Sequence, residues 1–163
     1  MKLSIIVAVA LLATVSGCKS KSAFDYSEKI VKLERDLGPD IEMADEKMAK
    51  FLETQKYDSV VLISTRMEGL VDEKLTQIKT MAPPSVAKAD NFKSAAIRYF
   101  SFMKNMYTAY KTFASQTSEE EREKERQNLV DLAAKAEAAV KEMQGAQKEY
   151  ADANNFKIKD ETK

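Results

Sequence analysis

Phe92-Lys93-Ser94-Ala95-Ala96-Ile97-Arg98-Tyr99-Phe100-Ser101-Phe102-Met103-Lys104-Asn105-Met106-Tyr107-Thr108-Ala109-Tyr110-Lys111-Thr112-Phe113 is the stretch that decides the fold. Phe92, Tyr99, Met106 and Phe113 recur every seven residues. Ala95, Phe102 and Ala109 form a second seam at the same spacing, and Ala96, Met103 and Tyr110 widen it. Seven residues make nearly two turns of α-helix, so such a repeat draws an apolar stripe along one face. Neither glycine nor proline interrupts it. The pattern predicts a helix over about 86–114 whose wide apolar face other helices must cover.

The flanking segments supply those helices. Downstream, Ser118 with Glu121 is a capping-box pattern, and the acids that follow suit a helix start. Leu129, Leu132, Ala136, Val140, Met143 and Tyr150 then share one face as far as Asn154-Asn155. Upstream, Val60, Ser64, Met67, Val71, Leu75 and Ile78 predict a helix over about 58–81, with Thr54 or Asp58 as its cap. Pro83-Pro84 ends it, because a residue before proline avoids helical angles. Tyr26, Ile30, Leu33, Leu37, Ile41, Ala44, Met48 and Phe51 predict the first helix, over about 25–55. Gly38-Pro39 interrupts it, yet the apolar phase continues across, so one helix kinked near Pro39 is expected.

Four amphipathic helices with connections of about 2 to 8 residues indicate an all-α, antiparallel up-down-up-down four-helix bundle. At about 1.5 Å per residue it would be roughly 35–55 Å long. Nothing in the sequence suggests a strand.

Composition narrows the chemistry. The chain has no histidine and no tryptophan. Di-iron bundle sites need Glu-x-x-His pairs, so that chemistry is excluded, as are haem ligation by histidine and Ser-His-acid triads. No catalytic residue, metal ligand or cofactor site is expected. The run Glu119-Glu120-Glu121-Arg122-Glu123-Lys124-Glu125-Arg126 reads as solvated first turns, since calcium needs loop geometry and about six to eight oxygens.

Charge is uneven along the chain. Lys88, Lys93, Arg98, Lys104 and Lys111 stand against Asp90 alone, whereas residues 25–55 and 118–153 are each net −4. Complementarity between adjacent helices explains this more simply than an anionic partner. Phe100 and Tyr107 flank the third helix's seam with Lys104 beside them. If exposed, Phe100, Lys104 and Tyr107 would form a partner-binding stripe, whereas the second or fourth helix could equally cover the two rings.

The amino end gives an address. Lys2 precedes an apolar stretch from Leu3 to Val15, which is too short to span a bilayer and has the layout of an export signal. Val15-Ser16-Gly17-Cys18 resembles the lipobox of bacterial lipoproteins, and Cys18 is the chain's sole cysteine. The resemblance implies that residues 1–17 are a signal peptide. Cys18 would receive a diacylglyceryl group and further acyl chains of the palmitate kind. Residues 18–24 then read as a lipidated tether, 25–156 as the bundle and 157–163 as a polar tail. Loss of 1–17 leaves 25 basic against 26 acidic residues, which argues against nucleic acid as partner. Lys19 follows the cysteine where an aspartate would retain such a protein in the inner membrane. The resemblance therefore implies the periplasmic face of the outer membrane.

Together the lipobox, Tyr26-x-x-x-Ile30-Val31-x-Leu33, Pro83-Pro84, Ala95-Ala96-x-x-Tyr99-Phe100 with Lys104 and Tyr107, and Gln147-x-x-Tyr150-Ala151-x-x-Asn154-Asn155-Phe156 resemble a family of uncharacterised bacterial lipoproteins. That family is built as antiparallel four-helix bundles and brings no established activity. The expectation is a monomeric, non-catalytic module of the cell envelope, binding or structural, held to the membrane through Cys18. Its alternatives are a carrier of a small apolar ligand in the bundle, or an adaptor or inhibitor of another envelope protein.

Overall fold

The computed structural model describes residues 17–158. The expected signal peptide, apart from Gly17, and the tail beyond Ile158 lie outside the described residues. Four helices are present among them and no strand: α1 Cys18–Glu53, α2 Tyr57–Thr80, α3 Ala89–Ser115 and α4 Glu119–Ala153.

Each element forms for a legible local reason. Ser118 caps α4 by accepting from the Glu121 backbone N–H at 3.2 Å, and its hydroxyl donates to the Glu121 carboxylate at 2.9 Å. Before α3 the chain turns through Lys88, which sits in the left-handed region at φ 63°. Past the end of α4, Asn155 turns the chain at φ 57°, and Phe156 folds back into the core. Pro39 lies inside α1, which runs unbroken past it. Gln55, at φ 54°, turns the chain between α1 and α2.

One boundary differs from expectation. Residues 18–24 are the first turns of α1 rather than a spacer. Ala23 is fully buried, and the Ser20 hydroxyl donates to the Asn155 carbonyl at 3.3 Å. Polar Lys19, Lys21 and Ser22 face outward around this short apolar strip, so composition alone resembled a linker.

The helices pack as a bundle with one weak seam. α3 makes the broadest contacts, to α2 and α4, and α1 packs mainly on α2. Falling numbers in α3 match rising numbers in α2. Lys111 pairs with Glu68, Lys104 with Asp72 at 2.7 Å, and Lys93 Nζ donates to the carbonyls of Lys79 and Met81 at 2.8 Å. α1 and α4 barely touch over most of their length. They meet at one end, where Gln147 donates to the Ser27 hydroxyl at 3.2 Å and the Tyr26 and Tyr150 rings lie 6.3 Å apart.

That end is filled by aromatic rings. Phe92 stacks on Tyr150 at 5.1 Å, and Tyr26, Phe156 and Phe24 add edge contacts. Edge and offset-stacked rings contribute roughly 0.5–1.5 kcal/mol each beyond their area. Burial pushes the Tyr26 phenol up to about 12, with nearby Asp90 adding to the shift, and burial also raises Tyr150. Neither hydroxyl has a hydrogen-bond partner among the described residues.

Candidate functional site

The aromatic pair flanking the third helix is core. Phe100 is 0% and Tyr107 3% exposed, so the exposed-stripe reading is overturned. Phe102 takes the flank instead, only partly buried. Phe100 and Tyr107 sit seven residues apart on a shoulder of the stripe, on the side from which Lys104 and Lys111 reach α2. Lys104 is partly exposed, but its ammonium is held by Asp72 at 2.7 Å. Hydrogen bonding to Lys104 lowers the Asp72 carboxyl, and the same bond raises Lys104. Phe100, Lys104 and Tyr107 therefore do not form a docking patch.

The rest of the basic stripe is engaged in the same way. Lys111 holds Glu68, Arg98 binds Glu142 at 2.6 Å, Lys88 lies 3.4 Å from Glu149, and Lys93 holds two carbonyls. The basic excess of α3 is thus met by α2 and α4, and the acidic stretch 25–55 takes no part in these pairs. Exposed pairs of this kind are screened by water, so they set register more than stability.

Two buried polar pairs were not legible from the sequence. Tyr99 donates to Glu34 at 2.7 Å across the core, and burial and the carboxylate both raise the phenol. Gln147 with Ser27 is the second. Each member lies on a different helix, far apart in the chain, so no spacing signal links them. Neither pair lines a cleft described below.

At the end away from Cys18, the helices part around a cleft of about 430 Å³. That volume falls in the range of small-molecule sites. Met48 and Leu52 of α1, Tyr57 of α2, Tyr110 and Phe113 of α3, and Leu129 of α4 form its walls. Val130 stands at the rim, 46% exposed. The opening follows from the sequence of α4, whose first half offers few large apolar residues. Only Leu129 is buried between Glu119 and Glu142.

Two charged residues line the cleft, and they differ. Arg126 bonds Glu119 at 3.4 Å and Glu123 more closely, with its guanidinium 5.7 Å from the Phe113 ring. Its neighbour Arg122 binds Glu119 at 2.7 Å and the Gln116 carbonyl at 2.6 Å, and lies 4.2 Å over Tyr57. Part of the acidic run thus clamps the start of α4 onto the bundle. The Arg122 hydrogen bond lowers the Glu119 carboxyl. Asp45, by contrast, has no ion pair or hydrogen bond among the described residues. Burial pushes its carboxyl up to about 6.

A second hollow, about 490 Å³, lies beside Cys18 and is lined by Lys21, Asp25, Tyr26, Lys29 and Pro84. Cys18 itself is exposed. Among the described residues no group of His, Cys, Asp and Glu is placed to hold a metal ion. No described helix is long and apolar enough to cross a membrane. No protein family, curated protein or solved structure matches the chain.

Proposed function

We propose that this protein is a lipid-anchored, non-catalytic binding module of the bacterial cell envelope that carries a small apolar ligand in the cleft between Met48, Tyr110, Phe113 and Leu129. The cleft is the observation that carries the reading. It is a preformed, mostly apolar hollow bounded by all four helices, in a chain whose sequence offers no nucleophile–base pair or metal set. Cys18, exposed and following the lipobox, is the lipid attachment point, and two or three acyl chains hold firmly where one does not. Lys19 supports residence at the periplasmic face of the outer membrane. The helices follow one another up-down-up-down and antiparallel, as the α2–α3 pairing suggests, and α1 bends at Pro39. The chain acts as a monomer and binds no nucleic acid, since the cations of α3 are already paired within the bundle.

In this arrangement the cleft stands roughly 45 Å from the bilayer, the rise from Cys18 to Met48 along α1. The adaptor reading loses its candidate residues with the burial of Phe100 and Tyr107.

Two measurements test the proposal. Metabolic labelling with a fatty-acid probe marks the native protein and leaves Cys18→Ser unmarked; a labelled variant removes the anchor. Native mass spectrometry of the purified lipidated protein finds a small molecule at one per chain, lost when Leu129→Trp fills the cleft. An unliganded protein that also fails to take up added apolar molecules ends the carrier reading.

A further inference from the structure

The cleft's unbalanced charge narrows its ligand, taking the carrier reading as given. Asp45 is half-buried at the cleft, so its carboxylate loses part of its hydration, and the bundle returns no compensating bond. The groups around it do not supply one. Tyr107 and Tyr110 of α3 lie close enough that the Asp45 charge raises both phenols, after burial itself. Arg126 of α4 is the one cation in the lining, and its guanidinium is held by Glu119 and Glu123. The α1–α2 turn contributes Gln55 and Tyr57 to the lining, and neither carries charge at neutral pH.

Helical position places the carboxylate usefully. Asp45 precedes Met48, Ala49 and Leu52 by three, four and seven residues, so all four share one face of α1. The acid therefore stands at the inner end of an apolar strip that runs outward to Leu52.

We infer that the cleft takes a small amphiphile with one protonated amine, the ammonium on Asp45 and the apolar body against Tyr110, Phe113 and Leu129. An ammonium donates to the carboxylate and restores the charge balance that the bundle leaves open. A fatty acid fits poorly, because its head would meet Asp45 while Arg126 already holds two carboxylates. A neutral alcohol gains the apolar contact alone.

Octylamine, octanol and octanoate, which share one chain, separate these cases. The probe is the full lipidated protein in lipid nanodiscs, carrying Val130→Trp at the rim as the sole tryptophan. Each ligand is titrated by tryptophan emission at pH 7.5 on Asp45 and on Asp45→Asn, with circular dichroism confirming the fold. Comparing one ligand across the two proteins cancels its uptake by the lipid. Octylamine is expected to weaken about tenfold on Asp45→Asn, the scale of one charge-assisted hydrogen bond, and Asp45→Glu to retain much of its affinity. Octanol should change less than about twofold. Equal loss for amine and alcohol, or no loss for either, overturns the amine assignment while the carrier reading stands. Tightest binding by octanoate overturns it in favour of Arg126. If none of the three saturates, the carrier reading fails with it.

Discussion

The two ends of this bundle are built from the same four helices and differ in how they are closed. Near Cys18, rings from three helices and from the returning Phe156 stack into one another. Side-chain bonds from Asn154 to the Ala87 carbonyl, Gln147 to Ser27 and Ser20 to the Asn155 carbonyl cross the gaps. At the far end α4 presents mostly charged residues around Leu129 and Val130 where the other end presents Tyr150, and a cleft remains. Closure is thus a matter of how much apolar bulk α4 buries. A helix that supplies a large buried ring at one end and mostly solvated charges at the other makes a bundle that is solid at its base and hollow at its tip.

Core truncation tests this contrast most strongly. Phe92→Ala at the closed end should destabilise by about 3–5 kcal/mol, since the ring is fully enclosed. Leu129→Ala at the open end should cost no more than about 2 kcal/mol, at the low end for leucine, because it enlarges an existing opening. Urea unfolding with unchanged m-values measures both. Equal costs would mean that the cleft is shut in solution.

The shoulder of α3 gives the next effect. Phe100→Ala is expected to cost about 3–5 kcal/mol and Phe102→Ala about 1 kcal/mol, following their burial. The reverse order in thermal unfolding would rotate α3 about its axis and redraw the cleft wall.

Asp45 sharpens the comparison through pH. Its carboxyl is raised, so the unfolded chain ionises first, from about pH 4, while the folded chain holds its proton to about 6. Stability at this group is therefore greatest below pH 4 and falls as pH rises through that window. Discounted for partial exposure, the loss is about 1–2 kcal/mol. Asp45→Asn should be more stable than the native protein by that amount at pH 7.5 and equal to it near pH 4. A stabilising loss of charge at a cleft fits a residue kept for binding. A variant that is less stable at pH 7.5 would instead give Asp45 a structural partner.

The smallest effect belongs to neither end. Gly69 is exposed inside α2 with open space where a Cβ would stand. Gly69→Ala should stabilise by about 0.5–1 kcal/mol, leave ligand affinity unchanged, and serve as the control. A change in binding would couple α2 to the cleft.

Much of this was readable along the chain. The number of helices, their ends at Ser118 and Pro83-Pro84, the continuity of α1 across Pro39 and the stripe from Phe92 to Phe113 are local properties, fixed by periodicity, capping and proline chemistry. The pairing of basic α3 with acidic α4 was legible as composition, whereas its ion pairs with α2, which is close to neutral, were not. The helical start at Cys18 was not, because its apolar strip is only Ala23 and a few neighbours amid polar residues.

The tertiary structure decided what depends on azimuth and distance. A helical repeat says which residues share a face, but not which side of it the neighbours cover, so the expected order of Phe102 in the seam and Phe100 on its flank is reversed. Glu34 and Tyr99 lie on separate helices, and no sequence spacing joins them. The cleft exists because α1 and α4 make few contacts and α4 buries only Leu129 there, and Asp45 meets an unmatched setting only through the walls that surround it. Secondary structure is set by neighbours in the chain, whereas burial, pairing and hollow space are set by neighbours across it.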